Sequence, residues 1–213
     1  GLAEAAAPYP LPLVGGDLDG GPMVGIAVTI WGRPGPSGRL LTRGTARPGD
    51  LLFTVGTLGL ARTGLTALER FGPDAATRVP AAVAAHLRPI PQVAAGLALA
   101  GLPGVTACMD VSDGLVRDIP RLLPAGAGAA LTLDPATLHP EITVLAEELG
   151  RDPLRECLLG GEDYALLGAV TPDGWPAVAA AVAEARVLGR VTHGPCLTLN
   201  GALLDARGFD HFG

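Results

Sequence analysis

At 213 residues the chain is long enough to bury a core as one large domain or two small ones. With 48% hydrophobic residues against 17% charged it is not a disordered chain, and its apolar stretches are broken well before the roughly 18 residues that a bilayer crossing needs. A net charge of −6, no basic run and an aromatic content of 4% argue against a nucleic-acid surface built on phosphate contacts or base stacking.

All 15 cationic side chains are Arg, which excludes a Walker-type loop, a lysine Schiff base and a lysine general base. Any anion must then be met by Arg, by backbone N–H groups or by a metal held on carboxylates. Cys108, Cys157 and Cys196 are odd in number and far apart, so they read as small buried residues. The start lacks the basic and apolar pattern of a signal peptide, from which a cytoplasmic protein is expected.

In chain order, Gly1 to Ala7 reads as the end of a helix. Tyr9 to Val14 is extended and leads into Gly15-Gly16-Asp17-Leu18-Asp19-Gly20-Gly21. Glycines this dense let a backbone approach a phosphate, and Asp17 and Asp19 add metal-ligating oxygens; the same stretch equally reads as a hairpin turn before a strand over Met23 to Trp31. Gly32 to Arg39 reads as a hinge loop, Arg43 to Asp50 as a turn and Leu51 to Val55 as a strand ending in Gly56-Thr57-Leu58-Gly59. Helices are expected over Leu60 to Phe71, Val79 to Leu87 and Gln92 to Ala100, the second ended by Pro89 and Pro91.

The apolar run from Val105 then ends in Asp110-Val111-Ser112-Asp113-Gly114. This reads as a buried strand whose last residues emerge at the sheet edge, with Asp110 and Asp113 able to converge on a hard cation such as Mg²⁺. The plainer reading of Ser112 or Asp113 is a cap for the next helix, which carries Ile119 to Leu123. A strand over Gly128 to Leu133 and a Glu-rich helix over Pro140 to Leu149 follow. Leu158 to Gly168 carries Gly160-Gly161-Glu162-Asp163-Tyr164, the strand-and-acid pattern run in reverse. Trp175 to Ala185 reads as a helix, Ala185 to Val191 and Cys196 to Leu199 as strands, and Asn200-Gly201 as a hairpin turn into Ala202 to Leu204. The tail holds Phe209, His211 and Phe212, either closing the core or covering a substrate. Strands alternating with helices argue an α/β or α+β domain.

Asp110 to Leu115, Gly160 to Leu167, Gly15 to Asp17 and Gly208 to Phe212, in that family's order and with Arg43 to Asp50 and His86 to Gly96 also in place, resemble the thiamine-monophosphate kinase family. That family sits with aminoimidazole ribonucleotide synthetase, selenophosphate synthetase and a hydrogenase maturation factor. The resemblance implies a two-domain aminoimidazole ribonucleotide synthetase-like fold of the α/β (α+β) class. Residues 1–39 would be the remnant of an N-terminal ATP/Mg²⁺-binding domain and 40–213 a complete C-terminal mixed-sheet domain. Family members normally begin with a further stretch carrying more metal-binding aspartates, absent before Gly1, and the full-length protein is expected to be a homodimer.

The implied reaction is ATP-dependent phosphorylation of thiamine phosphate to thiamine diphosphate. By resemblance Asp17, Asp110 and Asp113 are Mg²⁺ ligands, Gly16, Asp17, Arg43 and Ser112 meet ATP, and Glu162 and Phe209 meet thiamine phosphate. Phe209 stands where Trp is more usual and keeps an aromatic face. No catalytic side chain is expected, because a phosphate acceptor is already ionised. Two alternatives stay open: a non-catalytic fragment that binds nucleotide or thiamine phosphate, and another superfamily member acting on a different phosphate or carboxylate.

Overall fold

A computed structural model describes residues 1–9 and 11–204, and the chain divides into two units, Gly1 to Arg33 and Pro34 onward. The first unit holds one short helix, α1 (Leu2–Ala6), followed by irregular extended chain. The strand expected over Met23 to Trp31 is not formed. Its alternating side chains are exposed, Val24, Ile26, Val28 and Ile30 among them. High β-propensity does not make a strand where no second segment supplies the ladder of hydrogen bonds.

Among the described residues the second unit is built on seven strands: β1 (Leu51–Val55), β2 (Val105–Val111), β3 (Ala127–Leu131), β4 (Ala165–Val170), β5 (Arg186–His193), β6 (Leu197–Leu199) and β7 (Ala202–Leu203). They lie in the order β2-β4-β1-β5-β3-β6-β7. Every neighbouring pair is antiparallel except β3 with β6, which gives a mixed sheet. Among the described residues the unit's α-helices are α2 (Leu60–Phe71), α3 (Ala75–Arg78), α4 (Pro80–Leu87), α5 (Val93–Ala100), α6 (Leu115–Leu122), α7 (Pro140–Glu148), α8 (Pro153–Leu159) and α9 (Trp175–Ala181).

The period of two along each strand sends apolar side chains to both faces, so the sheet is covered twice. Leu52, Ala107, Leu167, Ala169 and Leu188 pack with Leu115, Ile119 and Leu122 of α6 and Leu158 of α8. Phe53, Val55, Cys108 and Val170 face the other way, against Leu99 of α5 and Val178 of α9. An irregularity between Val105 and Ala107 sets Val105 on the Phe53 side while Ala107 faces α6. Gly168 lies opposite Phe53, where a Cβ would come within 2.3 Å of the ring. A third cluster joins α2, α4 and α7 through Leu60, Ala67, Val83, Ile142 and Leu145.

β2 ends the order on one side, and the segment before β1 partly covers its open edge. Thr42 O accepts from Cys108 N–H at 3.0 Å, and the Thr45 hydroxyl donates to Thr106 O. Arg39 donates to Leu102 O and Val105 O. Backbone groups that would otherwise template a foreign strand are thereby occupied.

Candidate functional site

The acidic turns meet because β2 and β4 are antiparallel neighbours. Val111 pairs with Ala165, so the turn that leaves β2 and the turn that enters β4 lie at one end of the sheet. Glu162 N–H donates to Ser112 O and Tyr164 N–H to Val111 O, both at 2.9 Å. The turns pack backbone on backbone. Gly114 takes φ 102°, and a Cβ there would stand 3.0 Å from the carbonyl oxygens of Leu159 and Gly160; a Cβ on Gly161 would stand 2.6 Å from Ser112 O. Glycine at both positions is what lets the two loops touch.

The neighbouring acids Glu162 and Asp163 part company. The Asp163 carboxylate turns inward and accepts from Gly59 N–H at 2.6 Å and Ala61 N–H at 3.0 Å, capping the start of α2. Burial pushes its carboxyl up to about 6, against the pull of the amides of Gly59, Ala61 and Leu60. Glu162 is exposed and accepts from the Tyr164 hydroxyl at 3.3 Å. Glu162 and Tyr164 both have left-handed backbones, with φ 66° and 49°, a conformation that costs energy in non-glycine residues and clusters at functional sites.

Asp118 of α6 organises the other turn. It is fully buried, and its Oδ2 accepts from Ser112 N–H and Asp113 N–H at 3.0 Å each. Its Oδ1 accepts from Arg121 Nη1 at 2.9 Å, and the same nitrogen pairs with Asp113 Oδ2. Burial raises the Asp118 carboxyl, while the Asp113 amide and Arg121 oppose that rise. A charged residue at 118, among Leu115, Ile119 and Leu122, was the available signal, since an acid on a helix's apolar face must find buried partners.

A cavity of about 280 Å³ opens at these turns. Ser112, Asp113 and Glu162 line it, with Arg62, Arg117 and His86 and the apolar surface of Leu65 and Leu159. Arg62 is held by Glu156 at 2.9 Å, and His86 Nδ1 is buried without a hydrogen-bond partner. The phenol of Tyr164 is pushed above its usual range by burial first, then by Glu162, Asp110 and Asp113. Its hydroxyl donates to Glu162. A larger cavity of about 430 Å³, lined by Val116, Leu158 and Leu204 beside Asp152 and Arg155, contains none of these acids.

Of the residues expected to act, Ser112, Asp113 and Glu162 share the cavity, and Asp110 lies exposed near the end of β2, its charge felt at Tyr164. Arg43 is exposed on the segment along the β2 edge; its neighbour Gly44 donates to Leu122 O at 2.8 Å. Gly16 and Asp17 belong to the first unit, where Asp17 Oδ1 accepts from Leu18 N–H at 2.9 Å. Phe209 lies outside the described residues. Among the described residues, no group of three or more His, Cys, Asp or Glu side chains is arranged to hold a metal by itself. The donors at the end of β2 are all oxygens, and two carboxylates beside a phosphate-bearing ligand match the habit of Mg²⁺.

Residues 47–200 match the family model described as AIR synthase related protein, C-terminal domain. A thiamine-monophosphate kinase of Corynebacterium glutamicum is 35% identical over 195 residues, 90% of this chain and 56% of the relative. One from Aquifex aeolicus is 30% identical over 213 residues, 100% of this chain and 67% of the relative. Among solved structures, AaThiL complexed with AMPPCP and TMP superposes with a TM-score of 0.69 at 30% identity, covering 82% of this chain and 55% of that one. The chain thus spans between about half and two thirds of the length of these relatives.

Proposed function

Since the chain belongs to the thiamine-monophosphate kinase family of AIR synthase related proteins, we propose that it serves the ATP-dependent phosphorylation of thiamine phosphate to thiamine diphosphate. The observation that carries this reading is the meeting of the Ser112-Asp113 turn and the Glu162 turn in one cavity. One solved relative is described as complexed with AMPPCP and TMP, a pairing that suits a site receiving a nucleotide and a thiamine phosphate.

The residue inventory agrees with the chemistry. Transfer of a γ-phosphoryl group through a loose transition state depends on alignment of the reacting oxygens and neutralisation of charge. The acceptor is an ionised phosphate, so no side chain has to remove a proton from it. The alignment falls to side-chain donors: Arg43 and Ser112 toward the ATP phosphates, with Arg62 and Arg117 as further cations at the cavity wall. Glu162 would face the positively charged thiazolium end, its carboxylate held by the Tyr164 hydroxyl, and Phe209 would stack on the rings.

Asp110 and Asp113 would hold Mg²⁺, which when bound supplies charge neutralisation at the phosphate oxygens. The protein's part is to keep Asp113 and Ser112 in a fixed turn through Asp118, so that little reorganisation is needed on binding. We place the reaction in the cytoplasm and expect a homodimer of the full-length protein. Among the described residues no helix is long and apolar enough to cross a membrane. The test is formation of thiamine diphosphate from ATP, Mg²⁺ and thiamine phosphate, by this chain and by one extended at its start. Product from the extended chain supports the reading, and its absence there removes it.

A further inference from the structure

Arg121 bridges two carboxylates of unequal freedom. Asp118 is fully buried and fixed by two backbone amides, while Asp113 has a side chain 35% exposed at the cavity wall. Arg121 itself is 44% exposed. Its contact with Asp118 is therefore the anchored one, and its contact with Asp113 lies at the surface, where partners can exchange. Without the guanidinium, Asp113 on the turn and Asp118 on α6 would lie near each other with no cation between them, and like charges at short range repel.

We propose that Arg121, anchored on Asp118, is the stand-in cation of Asp113: it holds that carboxylate aimed and neutralised in the ion-free protein, and yields it to an arriving divalent cation. This rests on the reading of Asp113 as an ion ligand given above. Arg121 is then a positioning residue whose pairing opposes ion binding. The cost is moderate because an exposed pair is weak, and the benefit is that Asp113 neither swings away nor repels Asp118 between turnovers.

The test is Mn²⁺ affinity in the presence of a fixed concentration of a non-hydrolysable ATP analogue, read from the protein-dependent change in the electron paramagnetic resonance signal of the ion, with circular dichroism confirming the fold of each variant. Arg121→Gln should bind Mn²⁺ about twofold to fivefold more tightly than the unaltered chain, the size expected when an exposed ion pair is removed. Arg121→Lys keeps the charge but not the two-carboxylate reach, and should fall between. In an Asp113→Asn background Arg121→Gln should give no gain. Equal or weaker binding by Arg121→Gln, or a gain that survives in that background, overturns the inference while leaving Asp113 as a ligand. Failure of Asp113→Asn to weaken Mn²⁺ binding, or no binding by the unaltered chain, overturns the ligand reading itself, and the inference with it.

Discussion

Asp163 and Gly59, 104 residues apart in sequence, are joined by a 2.6 Å hydrogen bond from the Gly59 amide to the Asp163 carboxylate. That bond, with the one from Ala61 N–H, ties the start of α2 to the turn that enters β4. Replacement of Asp163 by Ala should cost about 1–2 kcal/mol of unfolding free energy in urea, the usual loss for a helix cap. An unchanged midpoint would show that water satisfies these amides equally well.

The same carboxyl gives a pH dependence with a definite sign. Its ordinary value near 4 is raised to about 6 in the fold, so the folded state binds more protons than the unfolded between those values. The Asp163 contribution to stability is greatest below about pH 4, falls as pH rises to about 6, and stays low above. Asp163→Asn does not titrate, so it should gain stability relative to the unaltered chain across that window. Urea unfolding at a series of pH values checks this, and a relative loss over the same range would contradict it.

Gly161→Ala should separate the two loops. The added Cβ would stand 2.6 Å from Ser112 O, a backbone atom that cannot step aside alone. A cost of about 1–3 kcal/mol in stability is expected from such overpacking, with weaker binding of thiamine phosphate in calorimetry. Retention of both properties would mean that the turns do not need their close contact.

Glu162→Gln should raise the KM for thiamine phosphate about tenfold while leaving that for ATP nearly unchanged, as loss of one charge-assisted contact to one substrate predicts. The phenol of Tyr164 should also titrate lower in this variant, because the charge and hydrogen bond of Glu162 help to raise it. Ultraviolet absorbance of the phenolate reads this without substrate.

Much of the architecture was legible where periodicity and punctuation agree. Leu60 to Phe71 is read as a helix and found as one, since Gly59 opens it and Gly72-Pro73 closes it. The short helix α8 escapes the reading even though Asp152 followed by Pro153 is a helix-start signal, and the Asp152 side chain does accept from Leu154 N–H at 3.0 Å. Seven residues show too little periodicity to announce themselves. Met23 to Trp31 fails the other way, because alternation describes a strand's faces and not its partners.

Within the site, the convergence of Ser112, Asp113 and Glu162 followed from two strand ends with matching glycines and acids. Which of Glu162 and Asp163 points outward did not follow. The left-handed backbones at Glu162 and Tyr164 break the simple alternation that would have assigned their sides. Asp118 holds backbone amides, a role that no spacing of acids encodes; its one signal is a charge set on the apolar face of α6.

The most direct measurement is a crystal structure of the chain grown with thiamine phosphate, a non-hydrolysable ATP analogue and Mg²⁺. The account predicts thiamine phosphate in the cavity between Asp113 and Glu162, its thiazolium toward Glu162. Thiamine phosphate bound instead in the larger cavity beside Leu158 and Arg155, with the Asp113–Glu162 cavity empty, would contradict it.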